Sequence, residues 1–146
     1  MAELKQLARR IFQETISAID IPEAMQRKLR RERTVLRLND TAVDLRAFAK
    51  VRVIAIGKAA HAMLEGFGGL LGGEFRFEGI VSAPTPPARA SEGMKYFVGG
   101  HPTPDEQSWR AAEAILASLK ECDEKTAVFF LLSGGGSALV ALTRRK

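Results

Sequence analysis

The chain has 146 residues, 46% of them hydrophobic, one cysteine and a formal net charge of +5, which suits one domain with a single core and is too short for two ordinary ones. The lone Cys122 excludes an intramolecular disulfide and a multi-cysteine zinc site and fits a reducing, cytoplasmic compartment. The charge does not indicate nucleic acid: the cluster Arg27, Lys28, Arg30, Arg31, Glu32, Arg33 carries +4 without an interleaved aromatic, the tail Arg144-Arg145-Lys146 carries +3, and the remainder is −2.

Leu4, Leu7, Ala8, Ile11, Phe12, Ile16 and Ile19 recur at spacings of three and four, predicting a first helix that packs through one apolar stripe. A second helix follows, with Asp20 as cap, Pro22 in its first turn and a narrow Met25/Leu29 seam. The basic cluster at 27–33 reads as a solvated face. Residues 34–38 and 41–45, separated by Asn39-Asp40, read as a short hairpin.

From residue 51 the pattern changes. Val51-Arg52-Val53-Ile54-Ala55-Ile56 and Ala127-Val128-Phe129-Phe130-Leu131-Leu132 are nearly continuous apolar runs, as in strands buried on both faces of a parallel sheet. Residues 80–83 and 95–98 are shorter strands, and helices are predicted over 58–71 and 105–120, with Trp109, Ala112, Leu116 and Leu119 in the core. Strands alternating with helices predict an α/β fold with a parallel sheet covered by helices on both faces. Ligands in such sheets bind beyond the carboxyl ends of the strands, where the loops 57–59, 99–105 and 133–137 are expected to converge. No apolar segment approaches the roughly 20 residues of a membrane span, and Met1-Ala2-Glu3-Leu4-Lys5 lacks the apolar run of a signal peptide. A soluble protein with no membrane partner is expected.

Ser133-Gly134-Gly135-Gly136-Ser137 is the strongest local signal. Three glycines after a buried strand let backbone N–H groups converge on a phosphate, and a helix capped by Ser137 would add its positive dipole end. A tight strand-to-helix turn needs the same backbone, so the two readings are compatible. The segment is neither a Walker A loop nor a dinucleotide fingerprint, because Leu139 stands where a small residue is required; starting at Gly57 fails at Ala59. Lys58, expected in the first turn of its helix, is either an anion ligand or a solvent-exposed lysine. In Gly99-Gly100-His101-Pro102-Thr103-Pro104-Asp105-Glu106, a capping box accounts for Thr103, Pro104 and Glu106. His101 then either points into the cleft as donor or proton shuttle or makes a structural hydrogen bond. His61 reads as a helix surface residue, and no metal ligand set stands out.

Taken together, the blocks Ala55-Ile56-Gly57-Lys58-Ala59-Ala60, Gly99-Gly100-His101-Pro102-Thr103-Pro104-Asp105 and Leu132-Ser133-Gly134-Gly135-Gly136-Ser137-Ala138-Leu139 resemble, in order and spacing, the N-terminal region of the type II glycerate 2-kinases. Complete members of that family carry a C-terminal MOFRL domain, and some have been labelled hydroxypyruvate reductases. The resemblance runs from about residue 4 to about residue 140 and implies a Rossmann-like domain. It also implies ATP-dependent, Mg²⁺-assisted phosphorylation of D-glycerate to 2-phosphoglycerate in a cleft between the two domains. Carried over by residue, Lys58 would neutralise charge on the reacting groups, and Ser133, Gly134, Gly135, Gly136 and Ser137 would hold nucleotide phosphates; His101, from its place at a strand end, is the candidate substrate-binding residue. Residues 1–146 would then be the N-terminal part of such a domain, incomplete and without the MOFRL domain, inactive alone and open to self-association through an exposed sheet edge. A phosphate-binding or phosphosugar-binding α/β domain without catalysis is the alternative.

Overall fold

A computed structural model of the protein describes residues 2–142; the basic tail at 144–146 lies outside them, as does the side chain of Ile16 in the predicted stripe. The chain runs through α1 (Ala2–Ser17), α2 (Ile21–Lys28), β1 (Leu29–Glu32), β2 (Val35–Leu38), β3 (Thr41–Asp44), a 3₁₀ turn, β4 (Lys50–Ile56), α3 (Ala60–Leu71), β5 (Glu78–Ala83), β6 (Met94–Val98), α4 (Glu106–Lys120), β7 (Thr126–Leu132) and α5 (Gly136–Leu139).

The continuous apolar runs become the centre of a four-stranded, all-parallel sheet of order β6-β5-β4-β7. Because side chains alternate along a strand, β4 sends Val51, Val53 and Ala55 to the α3 face and Ile54 and Ile56 to the α4 face. Phe67 of α3 is fully buried on the first face, tilted against Phe129 and edge-on to Phe77. Ala111 and Ile115 of α4 pack with Ile54, Ile80 and Phe97 on the second. The expected α/β architecture with helices on both faces is observed.

Several local expectations are corrected. The hairpin is present as β2–β3, but Leu29, expected in the seam of the second helix, starts β1, which makes a three-stranded antiparallel sheet. Asp20 does cap α2, accepting from the Glu23 N–H at 2.8 Å. Helix α1 forms with the predicted stripe, yet Leu4, Leu7, Ile11 and Phe12 are exposed; periodicity specifies the helix, not what covers it. Trp109 and Leu116 are likewise half-exposed, because α4 meets the sheet through Ser108, Ala111, Ala112 and Ile115 one helical flank away. The basic cluster is solvated, with Arg31 paired to Glu74 at 2.6 Å. Among the described residues no helix is long and apolar enough to cross a membrane.

Candidate functional site

From β4 the chain leaves toward β5 on one side, while β7 returns through α4 to the other side of β4. That reversal opens a crevice at the carboxyl ends of β4 and β7, the position where open α/β sheets bind ligands. Residues 57–59 and 133–137 line its two sides.

These loops are tied together by four hydrogen bonds. The Ser133 N–H donates to the Ile56 carbonyl at 2.9 Å, the Ser133 hydroxyl donates to the same carbonyl at 3.3 Å, and the Ser133 Oγ accepts from the Ala59 N–H at 3.0 Å. The Lys58 N–H donates to the Gly134 carbonyl at 2.9 Å. Ser133 thus caps the start of α3 from the neighbouring strand, doing for Ala59 what the local sequence does not. Lys58 lies ahead of α3, not in its first turn as expected, because Gly57 turns out of β4 with φ +120° and the helix begins at Ala60. Its side chain is exposed.

On the other side, the amides of Gly134, Gly135, Gly136 and Ser137 have no protein acceptor among the described residues. Gly135 takes the cap position of α5 with φ +88°, so Ser137 is not the cap but an exposed residue within that four-residue helix. A Cβ on Gly135 would stand 3.0 Å from the His101 ring and 3.5 Å from Lys58 Cγ. The missing side chain is therefore what lets Lys58, His101 and the glycine turn meet. All three predicted loops converge, and the crevice gathers a lysine, a histidine and four free amides.

The loop that delivers His101 is tightly folded. Gly100 approaches the Thr103 carbonyl so closely that a Cβ would lie 2.3 Å from it, and the His101–Pro102 peptide is cis. The cap of α4 is Asp105, not Thr103 as expected. Its carboxylate accepts from the Ser108 N–H at 3.0 Å, while the Ser108 hydroxyl oxygen accepts from the Asp105 N–H at 3.2 Å. Glu106, expected to close the box, instead pairs with Arg110 at 2.6 Å. The amides of Ser108 and then Gly100 hold the Asp105 carboxyl below its ordinary value of 3.8. A depressed folded-state value contributes stability that is complete above the unfolded value and lost as pH falls through the folded one. Thermal melts between about pH 5 and pH 2 should therefore show Asp105→Asn with a shallower acid loss of stability than the parent; parallel curves would refute the assignment.

A fourth loop, not among the three expected at the rim, also leaves this end of the sheet. It starts at Pro84 after β5, and its Thr85 carbonyl lies 2.8 Å from His61 Nε2. The His61 ring stacks on Tyr96 at 6.0 Å, and the Tyr96 hydroxyl accepts from the Ser91 N–H at 2.9 Å. His61 is therefore a half-buried anchor of the 84–91 loop, not a helix surface residue. The run Pro84-Thr85-Pro86-Pro87 after a buried strand was the available signal. A cleft of about 580 Å³ lies at the opposite, amino ends of β4 and β5, between Lys50, Phe75, Arg76 and Phe77, and shares no residue with the crevice.

No group of three His, Cys, Asp or Glu side chains among the described residues could hold a metal. Asp105, the carboxylate nearest the crevice in sequence, is engaged in the α4 cap. A side-chain Mg²⁺ site does not fit the described residues.

Residues 7–146 match a family model described as a domain of unknown function, DUF4147. A relative from Pyrococcus horikoshii described as glycerate 2-kinase is 30% identical over 140 residues, which are 96% of this chain and 31% of that protein. One from Thermotoga maritima described as D-glycerate 2-kinase is 30% identical over 139 residues, 95% of this chain and 30% of that protein. Among solved structures, a Pyrococcus horikoshii protein superposes with a TM-score of 0.75 at 28% identity, over 95% of this chain and 31% of its own. A Thermotoga maritima glycerate kinase does so with a TM-score of 0.64 at 27% identity, over 96% and 30%. The chain thus spans a little under a third of the relatives it matches.

Proposed function

Since the chain belongs to the DUF4147 family, we propose that its strand-end crevice is the phosphate-binding side of a glycerate 2-kinase cleft. The observation that carries this reading is the convergence of Lys58, His101 and four acceptor-free amides on Gly135. Phosphoryl transfer asks a protein mainly to position reactants and to neutralise charge. In this reading ATP, arriving with Mg²⁺ on its own phosphates, lays its phosphate chain on the N–H groups of Gly134, Gly135, Gly136 and Ser137, with Ser133 fixing the turn. The Lys58 ammonium balances charge on the phosphoryl group. His101 holds D-glycerate or carries the proton released as its hydroxyl oxygen bonds to the γ-phosphorus and ADP departs. Residues 1–146 supply the N-terminal, nucleotide-side part of the cleft, in the cytoplasm. They span under a third of the named relatives, and the part of the activity proposed for them is phosphate binding.

Calorimetric titration with ATP and Mg²⁺ tests the reading. The parent should bind. Gly135→Ala should bind about tenfold more weakly or worse, because a left-handed alanine costs about 1–2 kcal/mol and its Cβ would press on His101. Gly134→Ala should match the parent, since nothing lies within 4 Å of its Cβ position. Absence of ATP heat, or a preference for a sugar phosphate over ATP, would overturn the kinase reading, the latter in favour of a phosphosugar-binding domain.

A further inference from the structure

Ser82 is the one polar side chain in the run Ile80-Val81-Ser82-Ala83 of β5, and it is fully buried. A hydroxyl taken out of water costs free energy unless it finds a hydrogen-bond partner. Strand alternation turns Ser82, like Ile80, to the α4 side of the sheet, where its hydroxyl donates to the Leu139 carbonyl at 2.7 Å. Leu139 is the last residue of α5 and is also fully buried. Carbonyls at a helix end have no acceptor role within the helix, and the Ser82 hydroxyl supplies the missing donor.

The crevice opens between β4 and β7, and Ser82 of the neighbouring strand β5 is bonded to both of its sides. The Ser82 carbonyl accepts from the Gly57 N–H at 3.0 Å, at the turn that carries Lys58. Its hydroxyl holds the far end of the segment whose near end is the glycine turn. That segment is a single helical turn closed by the bond from the Val140 N–H to the Gly136 carbonyl at 2.9 Å, so a displacement of Leu139 carries the Gly135 and Gly136 amides with it. The third loop meets the same point. Gly99 donates its N–H to the Ala83 carbonyl at 3.1 Å, and a Cβ on it would stand 3.2 Å from the Leu139 carbonyl oxygen. The Leu139 carbonyl is thus set between β5 and the start of the loop that delivers His101.

We propose that Ser82 is a positioning residue for phosphate binding, whose hydroxyl holds α5 so that the amides of Gly134, Gly135, Gly136 and Ser137 point into the crevice. The proposal rests on the phosphate reading of that turn. Ser82 is buried beneath the site and touches no ligand; it acts through Leu139. Donors fixed before the anion arrives need no reordering when it binds. Without the hydroxyl the turn must be ordered at the moment of binding, and the loss is read in affinity. Ser133 ties the same turn to β4, so the glycines are held at one end by the Ser133 bonds and at the other by Ser82.

Calorimetric titration of the whole chain with ATP and Mg²⁺ provides the test, with melting followed by circular dichroism. Ser82→Ala removes the donor and should bind ATP about tenfold more weakly, with a melting temperature lower by about 3–10 °C. Ser82→Thr keeps a hydroxyl and adds a methyl group to a fully buried position, so it should melt below the parent yet bind within about twofold of it. Ser82→Cys keeps the size and offers only a weak S–H donor; its affinity should fall between the two, and it carries the test if Ser82→Ala does not fold. In nitrogen–proton correlation spectra without ligand, the Gly135 and Gly136 amide resonances should move in Ser82→Ala and stay near the parent's in Ser82→Thr, a contrast that lost stability alone does not produce. Parental affinity in Ser82→Ala or Ser82→Cys would overturn the proposal, as would equal losses in Ser82→Ala and Ser82→Thr. A parent that takes up no ATP would overturn the phosphate reading itself, and this proposal with it.

Discussion

Gly57→Ala is expected to destabilise the protein by about 3–5 kcal/mol, a large share of the roughly 5–15 kcal/mol that holds a domain of this size together. Gly57 is buried with φ +120°, and a Cβ there would stand 2.2 Å from Ser133 Oγ and 2.6 Å from the Ser133 carbonyl oxygen. The left-handed backbone alone costs about 1–3 kcal/mol. Relieving the overlap requires the β4 and β7 loops to separate, which stretches the Ala59 N–H···Oγ and Lys58 N–H···O=C bonds, each worth about 1 kcal/mol. At this chain length the melting temperature should fall by about 10–15 °C, read by circular dichroism. Adding Ser133→Gly should recover only part of the loss, because it removes the hydroxyl and leaves the carbonyl in place. A single variant that melts with the parent would show that the two loops are not in contact.

The largest effect on binding is expected at Lys58. Charge-assisted hydrogen bonds contribute about 1.5–3 kcal/mol, so Lys58→Ala should weaken ATP about tenfold to a hundredfold in calorimetry. The exposed side chain forms no ion pair among the described residues, so stability should change by less than about 0.5 kcal/mol. If the proposed role is that of a point charge, Lys58→Arg should restore part of the affinity. The parent's affinity should also fall more steeply with added salt than the variant's, since screening removes what the variant already lacks. Equal affinities at low salt would remove Lys58 from the site.

The comparison of Lys58 with Ser133 shows which part of the site was legible. That Lys58, His101 and the turn at 133–137 lie together is legible in the sequence because each follows a strand with a recognisable apolar run, and strand ends in a parallel sheet share one rim. Ser133 was read as part of a phosphate turn, and its bonds to Ile56 and Ala59 were not foreseen. Its partners lie 77 and 74 residues away, and no local pattern records such a pairing. The cap of α4 also departs from the local pattern. Thr103-Pro104 has the right local chemistry, but the cap is Asp105 with the buried Ser108.

The exposed stripes make the same point about packing. Period 3.6 in α1 and α4 and the apolar run of β7 follow from backbone geometry, and the sequence by itself determined those elements, the parallel α/β class and the three loops at the rim. Whether Leu7, Trp109 or Phe130 is covered depends on which elements arrive from elsewhere in the chain, and α4 packs on Ile54, Ile80 and Phe97, with Val128 at its margin and Phe130 left exposed. Only the tertiary structure decided that Gly135 is where Lys58 and His101 meet, that His61 anchors the loop after β5, and that β4 lies between β5 and β7. The physical reason is range: helix and strand propensities act over a few residues, whereas a crevice and an edge are made by strand order, which joins residues far apart along the chain.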